Sequence, residues 1–389
     1  MRVLFVIHAP ADPATAVFLN VTRRAQHLRE SGHSAEIITP ADVGVPRMSG
    51  IWPLLYPLFL IARVRLSRYD VVVFHSHSGW AFFLFRWWLD PRRQITAVTT
   101  FHGLEPLYHD AEERELGRSG RAYSVRFRLL HRVVLQRLLA ACCRRSSAAL
   151  CLNRAEREYL IENAWCEAHR VAIVANGVEP ELLRIPRAYE SDARRLLFVA
   201  QWQPRKGTRY LVPAFTTLAE RHPDLRLMCA GTGVPETVVR AAFPSAVRDR
   251  VDVWPRVTRL ELAGLLRGAD AFVFPSLFEG FSGALLEAMA AGLPIVATRA
   301  GAAADMLVDG ANALVVEYAD AGALTVTLER LLTDARLRKR LGEGAHREAA
   351  ACDWAHVNAL YTAVLEEIRR NGSASGDRRP CVKQHAHRA

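Results

Sequence analysis

Short apolar runs alternate with longer helix-like segments along this chain, and the alternation lapses once before starting afresh. That pattern belongs to βαβ units wound into a parallel sheet. In the first round, residues 2–7, 35–39, 71–74, 95–99, 148–152 and 171–174 read as strands, and a helix over 18–31 stops at Gly32. In the second, the strands are 196–200, 225–229, 251–254, 271–274, 295–297 and 313–316. Residues 179–194 between them are charged and without period, which marks a linker. At 389 residues the chain also exceeds what one hydrophobic core usually serves. The expectation is an α/β protein of two tandem Rossmann-like domains facing an interdomain cleft, one over 1–178 and one over 195–352. A helix over 353–370 closes the fold, and the polar residues 371–389 are expected to form a disordered tail.

Chemistry concentrates in the second round. Glu279 and Glu287, in Phe278-Glu-Gly-Phe-Ser-Gly-Ala-Leu-Leu-Glu287, bracket a glycine-containing turn and the start of an apolar helix. With Ser282 as N-cap and Gly283 as first helical residue, the N–H groups of 283–285 are unpaired donors, and such an end attracts phosphate. Helical side chains lean toward the N-terminus, so Glu287 reaches back over Gly283. Leu286, Met289, Ala290 and Leu293 have the spacing of a core-facing stripe. Glu279 stands at a strand's carboxyl end, where open parallel sheets bind ligands. For two isolated acids, complementing the helix dipole, worth roughly 0.3–1 kcal/mol, would be the commoner account.

Two more loops share that edge. Gln201-Trp-Gln-Pro-Arg-Lys206-Gly207 follows the first strand of the second round, and Gly231-Thr-Gly233 follows its second. Arg205, Lys206, glycine backbone and a helix N-terminus together suit a diphosphate, and Glu287 could accept hydrogen bonds from a ribose diol. The net charge of +11 agrees with an anionic partner, whether a nucleotide, a phospholipid surface or nucleic acid. Lysine is confined to Lys206, Lys339 and Lys383, so a compact ammonium beside Gly207 stands out.

These residues resemble a known family. The run Glu279-Gly-Phe-Ser-Gly-Ala-Leu-Leu-Glu-Ala-Met-Ala-Ala-Gly-Leu-Pro294, with Lys206-Gly207 upstream, is similar to the retaining glycosyltransferases of family 4 (group 1), which have the two-domain GT-B fold. Ser31-Gly-His33, Thr100-Phe-His-Gly103 and Asn176-Gly-Val178 match with less force, and the resemblance covers all but the tail. It implies that Glu279 and His102 are catalytic beside the transferred sugar, that Arg205 and Lys206 hold the diphosphate, and that Glu287 binds the ribose. Gln201, Gly280, Phe281, Ser282 and Gly283 join the donor site, with Arg256 and Val257 as candidates near the base; His75 and His77 are weaker candidates. Three departures stand against the pattern. Ala200-Gln201 replaces a Gly-Arg pair, His8-Ala-Pro-Ala-Asp-Pro13 replaces a glycine-rich loop, and Asp305 replaces a Glu.

The activity so implied is transfer of a hexose-type sugar from a nucleoside diphosphate sugar to a hydroxyl of a glycan, glycolipid or small molecule, with retention. No Asp-x-Asp occurs, so no metal and no cofactor are expected. A nucleotide-sugar epimerase and a non-catalytic nucleotide-sugar-binding subunit are the rival readings. The donor base, the sugar and the acceptor are not readable from the residues.

Seven cysteines without a Cys-x-x-Cys suit a reduced, cytoplasmic protein. The first strand begins at once and is followed by Pro10 and Asp12, a poor signal peptide. The apolar run 51–62 carries Pro53 and Pro57 and is shorter than the roughly 20 residues that cross a bilayer. That run, the aromatic-rich 80–89, and Arg118, Arg121, Arg126, Arg128, Arg132 and Arg137 in a helix-like stretch suggest peripheral contact with an anionic inner membrane face. Buried helices with solvated arginines explain the same residues equally well. No nucleic-acid reader is present, so nucleic acid is not expected.

Overall fold

The computed structural model describes residues 1–8, 11, 15–45, 52–189 and 193–373. It divides into two compact units. Unit 1 comprises Met1–His109, Ala122–Asn176 and the chain from Ala355 on; unit 2 comprises Asp110–Arg121 and Gly177–Trp354. Most of the His8 to Pro13 loop and residues 374–389 lie outside the described residues, as do 190–192 of the expected linker.

Unit 1 contains β1 (Arg2–Val6), β2 (Ser34–Ile38), β3 (Val71–His75), β4 (Thr96–Thr100), β5 (Ala148–Cys151) and β6 (Val171–Ile173). They form one sheet in the order β2-β1-β3-β4-β5-β6, with every pairing parallel. Alternate residues of β1 serve opposite faces. Val3 and Phe5 pack with Val21, Ala25 and Leu28 of α1 (Ala16–Glu30), whereas Leu4 and Val6 pack with Tyr56, Leu60 and Phe82. A strand covered on both faces has no solvent side, which is why these runs are continuously apolar. Burying each such large side chain contributes roughly 1.5–3 kcal/mol.

Unit 2 contains β7 (Arg195–Val199), β8 (Arg226–Ala230), β9 (Val251–Trp254), β10 (Ala271–Phe274), β11 (Ile295–Ala297) and β12 (Leu314–Val315). Their order is β12-β11-β10-β7-β8-β9, again parallel throughout. Leu197, Phe272 and Phe274 face one core with Leu285, Leu286 and Met289; Leu196, Phe198 and Val273 face the other with Leu211, Phe215 and Leu218. All twelve strands therefore stand where the apolar runs place them.

The helices depart further from expectation. Residues 118–137 are not one helix: α2 (Glu105–Arg118) ends at Arg118, Gly120 turns at a φ of +66°, and Ser124 caps a new helical stretch from Val125. A glycine in left-handed backbone and a serine cap interrupt what arginine spacing alone suggested. Trp80–Leu84 and Arg86–Leu89 are two short helices, leaving Trp87 and Trp88 75% and 68% exposed. The last helix, α5 (Trp354–Ser373), continues past 370 and buries Tyr361, Val364, Leu365 and Ile368 against Val3 and Phe5 of unit 1. Among the described residues no helix is long and apolar enough to cross a membrane.

Candidate active site

In unit 2 the crossovers leave β7 in one direction and β10 in the other, so the crevice beyond their carboxyl ends is the switch point of the sheet. Two loops flank it. Gln201–Gly207 leaves β7 and runs into α3 (Thr208–Arg221), while Pro275–Ser282 leaves β10 and runs into α4 (Gly283–Ala290). The loops are joined by the Leu277 N–H, which donates to the Arg205 carbonyl at 2.8 Å.

Gly207 has a φ of +76°, and a Cβ there would stand 2.0 Å from the Pro275 carbonyl oxygen. No other residue lets the first loop come this close to the second. Gly301, in the loop after β11, does the same from the opposite side: its φ is +58°, and a Cβ would meet the Glu279 carbonyl oxygen at 1.9 Å. The backbone of Glu279 is thus held between neighbouring loops.

The structure brings Glu279 and Lys206 together. Lys206 Nζ donates to Glu279 Oε1 in a short ion pair, both side chains being largely buried. Ser276 Oγ donates to the same oxygen at 3.0 Å. Beneath it Thr298 Oγ1 donates to the Ser276 carbonyl, fixing the turn that carries both groups. Burial pulls the Lys206 ammonium below the ordinary lysine range, and the Glu279 charge pulls it part of the way back. A buried pair of this kind is costly to break, because either partner alone would be an uncompensated charge.

Ser282 caps α4, its hydroxyl accepting from the Leu285 N–H at 3.3 Å. A Cβ on Gly283 would meet nothing within 4 Å, so the helix start faces open space. The helix is buried nearly all round: Leu285, Ala288 and Ala291 are enclosed along with the expected stripe of Leu286, Met289, Ala290 and Leu293. Only Gly283, Ala284 and Glu287 keep access to solvent, which puts Glu287 on the strip that begins at the open N-terminus. Gly280 and Ser282 are buried, and Phe281 packs on the core.

The remaining candidates are more dispersed. Gln201 is exposed, its Cγ 3.8 Å from the Cβ position of Gly233, while the Trp202 N–H donates to the Thr232 carbonyl at 2.8 Å, tying this loop to the one after β8. Arg205 Nε donates to Gln203 at 3.0 Å. Arg256 is exposed beyond the outermost strand β9, and Val257 packs on the core. Asp305 lies in the short helix Ala303–Met306. The sequence does not single out Ser276, Thr298 and Gly301; their polarity or lack of side chain at strand ends is the only signal they carry. Among the described residues no cluster of three or more His, Cys, Asp or Glu side chains is arranged to hold a metal ion.

His102 belongs to unit 1. Its ring stacks on that of His75, with centroids 4.7 Å apart, and its Nε2 lies 2.6 Å from His75 Nδ1. One nitrogen must donate and the other accept, so at least one of the two rings must be neutral to supply the acceptor. Burial first, then Arg24 and His8, pushes the His102 pKa down to about 3.

With this geometry in hand, comparison with known proteins is decisive for the family. The model of "Glycosyl transferases group 1" matches residues 193–334, and that of "Glycosyltransferase Family 4" matches residues 20–182. The chain belongs to the group 1 glycosyltransferases. It is 34% identical over 232 residues to the D-inositol 3-phosphate glycosyltransferase of Frankia alni, a match covering 55% of this chain and 56% of that protein. The chain thus spans about half the length of the curated relatives it matches. Sucrose-phosphate synthase from Thermosynechococcus elongatus superposes with a TM-score of 0.77 at 17% identity, over 95% of this chain and 99% of that one. Anabaena HepE, solved in complex with UDP-glucose, superposes with a TM-score of 0.66 at 16% identity, over 94% and 99%. These likenesses show the fold, the two Rossmann-like domains of the GT-B class.

Proposed function

We propose that this family member transfers a hexose-type sugar from a nucleoside diphosphate sugar to an acceptor hydroxyl, with retention at the anomeric carbon and without a metal. The observation that carries the reading is the buried Lys206–Glu279 pair at the switch point, beside the open N-terminus of α4. Lys206 has three donors and spends one on Glu279, so two are left for phosphate oxygens. Arg205 and the α4 amides add to the charge that stabilises the departing diphosphate. Glu287 accepts from the ribose hydroxyls, and Glu279 Oε1 is anchored by Lys206 and Ser276 while Oε2 remains for a sugar hydroxyl.

In the step itself the acceptor oxygen bonds to the anomeric carbon on the face the diphosphate leaves. The carbon–oxygen bond to the diphosphate breaks with its electron pair, and the acceptor's proton passes to the departing phosphate. The curated relative named a D-inositol 3-phosphate glycosyltransferase supports glycosyl transfer, and the neighbour solved with UDP-glucose supports a nucleotide-sugar donor. Nothing observed favours the epimerase or the binding subunit.

Incubation with UDP-sugars and a panel of acceptors tests the reading, with the expected product a new glycoside of unchanged anomeric configuration. An altered sugar nucleotide would mean an epimerase, and neither product a binding subunit. Turnover is expected to survive EDTA; loss on chelation with recovery on adding a divalent cation would overturn the metal-free part. Peripheral contact with anionic lipid belongs to the same proposal, resting on exposed Trp87 and Trp88 beside exposed Arg92 and Arg93. Failure to bind anionic liposomes at low salt would remove it.

A further inference from the structure

Unit 1 has a cavity of its own at the equivalent edge. It measures about 290 Å³ and is lined by His8 after β1, by His77 after β3, and by Glu105 at the start of α2 after β4, with Tyr108, His109 and His131. β1 and β3 are neighbours whose crossovers diverge, so this is the switch point of the first sheet. Three residues of the lining carry buried polar atoms without a partner among the described residues: His8 Nδ1, His77 Nε2 and Glu105 Oε2. The opposite ends of two of them are fixed. Ser76 Oγ donates to Glu105 Oε1 and lies 3.0 Å from His77 Nδ1, and Ser76 itself is held at a φ of +56°, a conformation that costs a non-glycine residue roughly 1–2 kcal/mol.

Each unpaired buried group costs about 1–3 kcal/mol, so three around one cavity call for a ligand that completes them. The ligand must both give and accept hydrogen bonds, since an imidazole nitrogen does either and burial raises the Glu105 carboxyl above the usual carboxylate range, so that it accepts when ionised and donates when protonated. A hydroxyl group does both. Among the described residues no arginine or lysine lines the cavity. Burial keeps His8 and His131 below the ordinary histidine range and His77 down at about 3, so these three imidazoles supply no positive charge at neutral pH. A phosphate ester would meet the Glu105 carboxyl with no cation to offset either.

We propose that this cavity is the acceptor pocket and that it takes a neutral polyhydroxylated ring, an unphosphorylated sugar or cyclitol. The proposal rests on the transferase reading and names its acceptor class. The volume lies at the small end of ligand sites, enough for one such ring.

The test titrates myo-inositol, glucose and their monophosphate esters by calorimetry into the full chain saturated with UDP, alongside Glu105→Gln and His131→Leu. At least one neutral ring is expected to bind tenfold or more tighter than its phosphate ester. Either substitution should weaken that binding tenfold or more, with the thermal shift caused by UDP unchanged. Tighter binding of the esters, no binding by any of the four compounds, or unchanged affinity in both variants would overturn the proposal. Because binding is read without turnover, the two readings fail separately: a neutral ring that binds but receives no sugar overturns the transferase reading and the acceptor role with it, while the pocket's preference for a neutral ring stands.

Discussion

The two units solve the same topological problem with opposite electrostatics. Unit 2 places a buried ion pair, Lys206 with Glu279, and an open helix N-terminus at its switch point, whereas unit 1 gathers His8, His75, His77 and His102 at its own. The charged site suits a diphosphate; the imidazoles, held neutral by burial, suit a ligand without charge. The strand orders differ as well, the switch falling between β7 and β10 in one sheet and between β1 and β3 in the other. A parallel sheet thus fixes where a ligand binds but not what its charge is, and the residues at the strand ends decide that.

The comparison breaks most sharply if the ion pair is not what holds the second site together. Lys206→Met should cost about 3–5 kcal/mol of stability by stranding the Glu279 carboxylate. Urea unfolding measures this, and the loss should shrink in the double variant Lys206→Met/Glu279→Gln, since partners in contact are not additive. Equal losses in single and double variants would show the pair to be unimportant.

Acid separates the units next. His77 and His102, with pKa values near 3 in the fold, bind protons more readily when unfolded, so their neutral forms contribute stability that is full above about 6.5 and is lost as pH falls toward 3. Each pKa unit is worth about 1.4 kcal/mol. Amide exchange resolved along the chain should therefore show β1, β3 and β4 losing protection between pH 7 and pH 5 faster than β7 and β10. Uniform loss would remove the distinction.

The smallest effect is the most selective. Gly283→Ala adds a methyl group to open space at the first turn of α4, and should leave stability unchanged or raised by up to about 1 kcal/mol. Nucleotide-sugar affinity should nevertheless fall, because the methyl group occupies the approach to the helix amides. Unchanged affinity would move the phosphates away from that helix.

Much of this was legible in the residues. Strands buried on both faces announce themselves as continuous apolar runs, and the Ser282 cap follows from a serine before a glycine and an apolar helix. The Lys206–Glu279 pair was not, because it joins positions 73 apart in sequence through the adjacency of β7 and β10, and strand order is not written in the alternation. Ser276, Thr298 and Gly301 were hidden for the same reason. In α5, Tyr361, Val364, Leu365 and Ile368 mark an apolar face, yet nothing local says that it packs on the sheet of unit 1. Of the imidazole cluster the sequence singles out His102 and, more weakly, His75 and His77, but not their meeting with His8, since the three chain segments that form it meet only at the sheet edge.

The central claim is that Glu279 serves the transferred sugar while the rest of unit 2 holds the nucleotide. Glu279→Gln, assayed for glycoside formation and for the thermal shift caused by a UDP-sugar, tests it most directly. The account predicts a folded protein whose shift persists while turnover falls about a hundredfold or more. Unchanged turnover in that variant would contradict it.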